Sequence, residues 1–244
     1  MNIENIKSFI EFYRFLGVTN CLTKSPRNSI KKKIISKKIK ENNLKNNKMN
    51  KLTKKEKLAK LREEILDLDC NLKETATNVV ISDGDSNSKV MFIGEAPGAK
   101  EDIEGKPFVG DAGLLLNKMI GFIGLSREKI YISNIVFWRP PGNRTPNDKE
   151  ISSCLSLTRK HIFLMKPKLL IFVGSIAAKS LLRSKDGITK LRGKEHIYSD
   201  NEYGLTIPAR AIFHPAYLMR NPIEKKKTWD DLLDIDDFCR LNEI

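Results

Sequence analysis

Four short apolar runs punctuate the C-terminal two-thirds of the chain, at residues 90–93, 130–135, 169–173 and, more mixed in character, 207–213. Each reads as a strand. Between the runs, apolar positions recur at helical spacing over residues 113–123, 148–165 and 176–182. The second of these helices opens at Asn147, with Glu150 three residues on in capping-box spacing. A last helix is predicted over residues 223–241, with Trp229, Leu232, Leu233 and Phe238 as its apolar contacts. Strands alternating with helices imply parallel pairing through right-handed crossovers. The expected fold is therefore α/β, three-layer α/β/α, around a central four-stranded parallel sheet.

The N-terminal part reads differently. Residues 3–16 put Ile6, Phe9, Ile10, Tyr13 and Leu16 on one helical face, and Gly17 is a plausible stop. This predicts a small docking helix within residues 1–20. Leu58, Leu61, Ile65 and Leu68 then recur at helical spacing in a charged background, a second amphipathic helix that leads into a main domain over residues 56–244. Residues 21–55 lie between, rich in Lys and Asn, and too poor in apolar surface to offset the entropy of ordering them. They are read as a disordered linker, with a phosphate-gripping tether as the alternative.

Charge changes this picture less than its total suggests. The net +14 is concentrated between Lys24 and Lys60, where fifteen Lys or Arg face only Glu41 and Glu56, so the rest of the chain is nearly neutral. Charge alone does not make this a nucleic-acid enzyme. No apolar run approaches the ~20 residues of a membrane span, and Glu4, Lys7 and Glu11 interrupt the N-terminal apolar positions where a signal peptide would need them continuous. A cytosolic protein is expected. Cys21, Cys70, Cys154 and Cys239 are widely spread with no C-x-x-C pair, which suggests reduced thiols and neither a disulfide scaffold nor a zinc ribbon.

In an open parallel sheet a ligand binds beyond the carboxyl ends of the strands, so the residues just after each run are candidates for chemistry. The first run leads into Gly94-Glu95-Ala96-Pro97-Gly98-Ala99-Lys100-Glu101-Asp102, a carboxylate-rich turn. The second ends at Ser133-Asn134, the third at Gly174-Ser175 and the fourth at His214-Pro215-Ala216-Tyr217-Leu218. The segment Gly105 to Gly113 has glycines that allow close backbone approach, and Phe108 offers a flat apolar face suited to a planar guest.

Taken in order, GEAPGAKEDIEGKPFVGDAGLLL, YISNIVFWRPPGNRTPNDKEISSC, PKLLIFVGSIAAKSLL and HPAYLMRNPIEKKKTW resemble the successive motifs of the family 4 uracil-DNA glycosylases, over about residues 70–232. The resemblance implies a repair enzyme that hydrolyses the N-glycosidic bond of uracil in DNA, acts as a monomer, and initiates base excision repair. An extruded base would be read in a pocket. There, Phe108 is expected to stack on uracil and Asn134 to pair its O4 and N3–H edge, while Gly94 and Gly98 belong to the same uracil-binding set. The turn from Gly98 to Glu101 would wall off the thymine methyl. His214 is the candidate donor to uracil O2. Glu95 is favoured to position water or stabilise the sugar cation, with Glu101 and Asp102 as rivals. Leu218 and Met219 would wedge into the duplex while Arg220 approaches a phosphate, and Arg139 and Arg144 would sit near the DNA backbone.

Many members of that family hold a four-iron, four-sulfur cluster through four cysteines. Here Cys70 and Cys154 match two of those positions, but Asp67 and Trp138 stand at the other two. An indole supplies no ligand, so no cluster and no metal are expected, with Trp138 filling the space by packing. Nothing in the spacing of Cys21 or Cys239 suggests a substitute. The rival functions are a non-cleaving member that grips uracil or single-stranded DNA, and a glycosylase for other deaminated bases. His196, in the loop 191–196, lacks the inserted basic pattern of the branch that traps DNA covalently, so turnover is expected.

Overall fold

The computed structural model describes residues 7, 10, 11, 14, 15 and 52–244. Its sheet is six-stranded, in the order β1-β3-β2-β4-β6-β5. The strands are β1 (Ser82–Gly84), β2 (Val90–Gly94), β3 (Tyr131–Asn134), β4 (Leu169–Val173), β5 (His196–Asp200) and β6 (Leu205–Ile212). The four expected strands form its interior, and β2/β3, β2/β4 and β4/β6 are all parallel. The expectation of four strands is corrected at the margins, because β1 joins β3 and β5 joins β6, both antiparallel. Neither edge strand carries an apolar run, since β1 reads Ser-Asp-Gly and β5 alternates in burial.

Eight helices of the α type lie among residues 52–244: α1 (Lys54–Asp67), α2 (Ala99–Glu104), α3 (Asp111–Gly121), α4 (Asp148–Met165), α5 (Ser175–Leu182), α6 (Ile188–Leu191), α7 (Pro215–Arg220) and α8 (Lys225–Leu241). Strand side chains alternate between two cores. Met91, Ile93, Leu170 and Phe172 pack with Leu61 and Ile65 of α1, Cys154 and Ile162 of α4 and Ala177 and Leu181 of α5. Val90, Phe92, Ile132 and Ile171 pack on the other face with Leu116 and Ile120 of α3 and Ile235 and Cys239 of α8. These two apolar layers make the domain three-layered, as predicted. The helix α1 earns its place through Leu61 and Ile65, both fully buried, each contributing about 1.5–3 kcal/mol. Its start is fixed by a reciprocal cap between Thr53 and Glu56, and that of α4 by one between Asn147 and Glu150.

Of the N-terminal helix, the described residues Lys7, Ile10, Glu11, Arg14 and Phe15 are helical. Phe15 sits 6.2 Å from Phe122, ring centre to ring centre, with Lys118 and Lys225 over its face. Most of the basic segment 21–55 lies outside the described residues; its last residues, from Lys54, begin α1. Among the described residues no helix is long and apolar enough to cross a membrane.

The chain steps from β2 to β3 on one side and reaches β4 on the other, so strand order reverses at β2. A crevice opens at the carboxyl ends of the strands at such a point. Gly94 at the end of β2 is register partner of Asn134 at the end of β3, which sets both at its floor.

Candidate active site

A cavity of about 480 Å³ occupies this crevice, lined among others by Glu95, Gly98, Glu101, Phe108, Asn134 and His214. Side chains from four separate segments therefore meet. Gly94 decides how closely they do so. A Cβ built on it would lie 2.4 Å from Asn134 Oδ1 and 2.5 Å from the tip of the Phe108 ring, so any side chain there would displace both groups.

Asn134 is 2 % exposed, and its Oδ1 has no hydrogen-bond partner among the described residues. An orphaned buried acceptor costs about 1–3 kcal/mol, and its position beside the cavity marks it as awaiting a donor from a guest. Phe108 is also buried, and its ring centre lies 5.8 Å from that of His214 at a tilt of 31°. The two rings and the amide thus bound a slot suited to a flat, polar-edged molecule. Phe108 holds a left-handed backbone, φ 54°, a conformation costing about 1–3 kcal/mol in a residue with a side chain.

His214 caps α7, where its Nδ1 accepts the Ala216 N–H at 3.2 Å. An accepting Nδ1 leaves the neutral ring with its proton on Nε2, a hydrogen-bond donor. Burial is the main reason that the imidazole is pulled down to about 4, and the Arg220 charge adds to it. The ring is therefore neutral at physiological pH and can donate without carrying a full charge.

The three carboxylates have separate surroundings. Burial raises the Glu95 carboxyl above its ordinary range, and its side chain faces the cavity. Glu101 also lines the cavity, but its Oε1 accepts the N–H groups of Val109 at 2.9 Å and Gly110 at 2.7 Å. Its Oε2 lies 2.8 Å from where a Gly98 Cβ would stand, so the turn and the Phe108 loop are stitched together there. Asp102 is not brought to the cavity. It is buried, and its Oδ1 accepts from Thr77 and Asn78 N–H at 2.8 and 3.0 Å, a tie to the segment before β1.

The α7 candidates divide in the same way. Met219 is 47 % exposed, whereas Leu218 is 0 % exposed and packs with Leu115, Phe213, Trp229 and Leu232. Leu218 is therefore a core residue and not available as a wedge, which corrects the sequence expectation. Arg220 is exposed and lines the cavity. In the loop between β3 and α4, Arg144 lines the cavity and grips Glu150 through both oxygens at 2.9 and 2.6 Å, while Arg139 donates to Asn143 at 2.7 Å. His196 stands on β5, 2.6 Å from the Leu191 carbonyl, outside the cavity lining. Ala112, Asn143 and Tyr217 also line the cavity, although sequence reasoning assigns none of them a role of its own. Only Asn143 gave a signal, following Gly142 in a turn where both adopt positive φ.

Cys70, Cys154 and Trp138 share one apolar core, whereas Asp67 is exposed at the end of α1. The Cys154 thiol is pushed up to about 12, chiefly by burial, with the neighbouring Cys70 thiol adding to the effect. Lys73 Nζ rides 5.6 Å from the Trp138 ring centre. This donor set does not fit a four-thiolate cluster. Among the described residues there is no group of three or more His, Cys, Asp or Glu placed to hold a metal ion.

Comparison with known proteins agrees with the geometry. Residues 81–233 match the model of the uracil DNA glycosylase superfamily. The chain is 34 % identical to a type-4 uracil-DNA glycosylase of Archaeoglobus fulgidus over 70 % of its own length and 86 % of that protein. It is 41 % identical to the type-4 enzyme of Saccharolobus solfataricus over 66 % of this chain and 76 % of that one. With the type-4 enzyme of Thermotoga maritima it shares 38 % identity, over 62 % and 77 % of the two chains.

Proposed function

The chain belongs to the type-4 branch of the uracil-DNA glycosylase superfamily, and from that premise we propose that it excises uracil from DNA by hydrolysing the bond between the base and its deoxyribose, the first step of base excision repair. One observation carries the reading furthest: a buried amide oxygen with no partner among the described residues, in a slot walled by a phenyl ring and a neutral imidazole. Uracil supplies what that slot lacks. Its N3–H would donate to Asn134 Oδ1 and its O4 would accept from the Asn134 amide, with the ring against Phe108. Cytosine has no N3–H and carries an amino group at C4, so it would leave the amide mispaired. Thymine offers the same edge, so its methyl must be rejected by shape, and we assign that wall to the Gly98 to Glu101 turn.

In the reaction the C1′–N1 bond breaks and its electron pair departs with uracil, which becomes anionic. His214 Nε2–H donates to O2 as that charge accumulates, a preorganised donor in a desolvated site. Water adds to C1′ of the sugar cation and gives its proton to Glu95, leaving the uracil anion and an abasic sugar. Glu95 is the carboxylate assigned to that water, because Glu101 is engaged with Val109 and Gly110 and Asp102 with Thr77 and Asn78. Burial lifts its proton affinity and so suits it to a base role. Met219 is assigned to the gap left by the extruded base, and Arg220, Arg139 and Arg144 to the phosphates.

A chain acting singly on uracil-containing DNA in the cytosol is the setting we infer. The non-cleaving alternative is not favoured, since the amide, the imidazole and an unengaged carboxylate all face the cavity. We further assign no iron–sulfur cluster to this chain, from the misfit of its donor set. A purified sample is expected to be colourless and iron-free, and about four irons per chain would overturn that assignment. The function itself is tested with oligonucleotides holding uracil, hypoxanthine or mismatched thymine side by side. Release of uracil with alkali-labile sites is expected, and intact uracil-containing strands would sink the proposal.

A further inference from the structure

The segment around Phe108 is held from both sides. Below it, Glu101 accepts the N–H groups of Val109 and Gly110. Above it, Arg127 donates from Nη1 to the Phe108 carbonyl at 2.8 Å and from Nη2 to the Pro107 carbonyl at 2.5 Å. Its Nε donates to Asp83 Oδ2 at 2.6 Å. Each of the three guanidinium nitrogens thus donates to the loop or to β1, and the group is shielded, with a side chain 18 % exposed. No atom of it lines the cavity.

The geometry places Arg127 so well only because β1 lies against the segment 127–130. Gly84 makes that approach possible: its φ is +94°, and a Cβ there would meet the Ile130 carbonyl oxygen at 2.0 Å. Asp83, one residue earlier, pairs in register with Ile132, so β1 presents the carboxylate directly to Arg127. Phe108 has a positive φ that its side chain disfavours. Left to itself, this peptide would relax and swing the ring away from Gly94 and Asn134.

We propose that Arg127, held by Asp83, is a positioning residue for the reaction: it fixes the two carbonyls that aim Phe108 at the flipped base, and so sets base recognition from outside the pocket. The proposal rests on the reading of Phe108 as the uracil-stacking face. Planarity and the fork of donors matter, because one group must satisfy two carbonyls and a carboxylate at once. Lysine keeps the charge but cannot span the three acceptors.

The test uses the full chain and the variants Arg127→Met, Arg127→Lys and Asp83→Asn, each also combined with Phe108→Leu. Three quantities are read: single-turnover uracil excision, inhibition by free uracil, and affinity for a duplex holding a stable abasic-site analogue. Arg127→Met and Arg127→Lys are expected to slow excision by roughly 10- to 100-fold and to weaken uracil inhibition in step, with abasic-duplex affinity unchanged. In the Phe108→Leu background the same changes should add less than about twofold, because the effect passes through that ring. A merely structural arginine would instead lower all three quantities together and multiply with Phe108→Leu; that result overturns the proposal, as does unaltered uracil inhibition in Arg127→Met. Should Arg127→Met fail to fold, Asp83→Asn carries the test, with a smaller loss of uracil inhibition expected and no loss overturning it. A parent chain that releases no uracil at all defeats the glycosylase reading first, an outcome distinct from the variants behaving like an active parent.

Discussion

At the scale of single residues, the site works by withholding partners. Asn134 and Glu95 both line the cavity, and Asn134 Oδ1 has no partner among the described residues, whereas Glu101 and Asp102 are spoken for by backbone N–H groups. That division was not legible in the sequence, where all three carboxylates sit within one turn. Replacing His214 with Ala should lower the single-turnover rate by about 10²–10³ and change DNA affinity only a few-fold; an equal loss in affinity and rate would mean that the ring binds and does not activate. Asn134→Ala should abolish most excision and with it the preference for uracil, read from the same panel of oligonucleotides. The pH behaviour follows from burial. His214 and His161 are both pulled down to about 4 in the folded chain, against about 6.5 when unfolded. Their contribution to stability is therefore complete above about 6.5 and is lost as pH falls through the folded values. NMR titration should show the His214 ring, identified by its disappearance in His214→Gln, neutral at pH 6 and protonating near 4. A midpoint near 6.5 would mean that water reaches the ring and that its donor tautomer is not fixed.

At the scale of elements, what the sequence made legible was what two-sided burial dictates. β2 and β4 are uninterrupted apolar runs, and all of β2, β3 and β4 is buried; α4 announces itself through its cap and its period. β1 and β5 were missed because an edge strand of three residues, or one that alternates, looks like loop. Yet β1 carries Asp83 to Arg127, so the least legible strand touches the site's positioning. Short helices fail for a related reason. α7 has only six residues, fewer than two turns, so period alone could not say which of Leu218 and Met219 faces inward; the apolar cluster of Leu115, Trp229 and Leu232 decides it. The two substitutions should therefore part company. Leu218→Ala is expected to lower stability by about 2–5 kcal/mol, seen as a fall in the denaturation midpoint. Met219→Ala should leave that midpoint in place and slow excision from duplex more than from single strands, since only the duplex has a gap to fill. Similar losses from both, on either measurement, would remove Met219 from the wedge role.

At the scale of the whole molecule, the question is what the charged N-terminal segment adds to a domain that is otherwise nearly neutral. The structure sets the boundary for asking it. Thr53 and Glu56 cap α1, Lys54 donates to the Met165 carbonyl at 3.0 Å, and Leu61 and Ile65 sit in the core. A chain cut within α1 would expose that core, so the informative deletion removes residues 1–51. It takes away thirteen Lys or Arg against three Glu, and with them the contact of Phe15 on Phe122. Phe15 is itself exposed, so the loss of packing is small beside the buried faces that remain. The truncated chain should fold, and should excise uracil from short oligonucleotides at close to the full chain's single-turnover rate, because every cavity-lining residue lies beyond the cut. What should change is the dependence of affinity on salt: each lost phosphate contact removes about 0.9 from the slope of log affinity against log salt. A shallower slope at equal catalytic rate assigns the basic segment to holding DNA. An unchanged slope would mean that its lysines do not meet the phosphates, and an insoluble product that the Phe15 contact is part of the core after all.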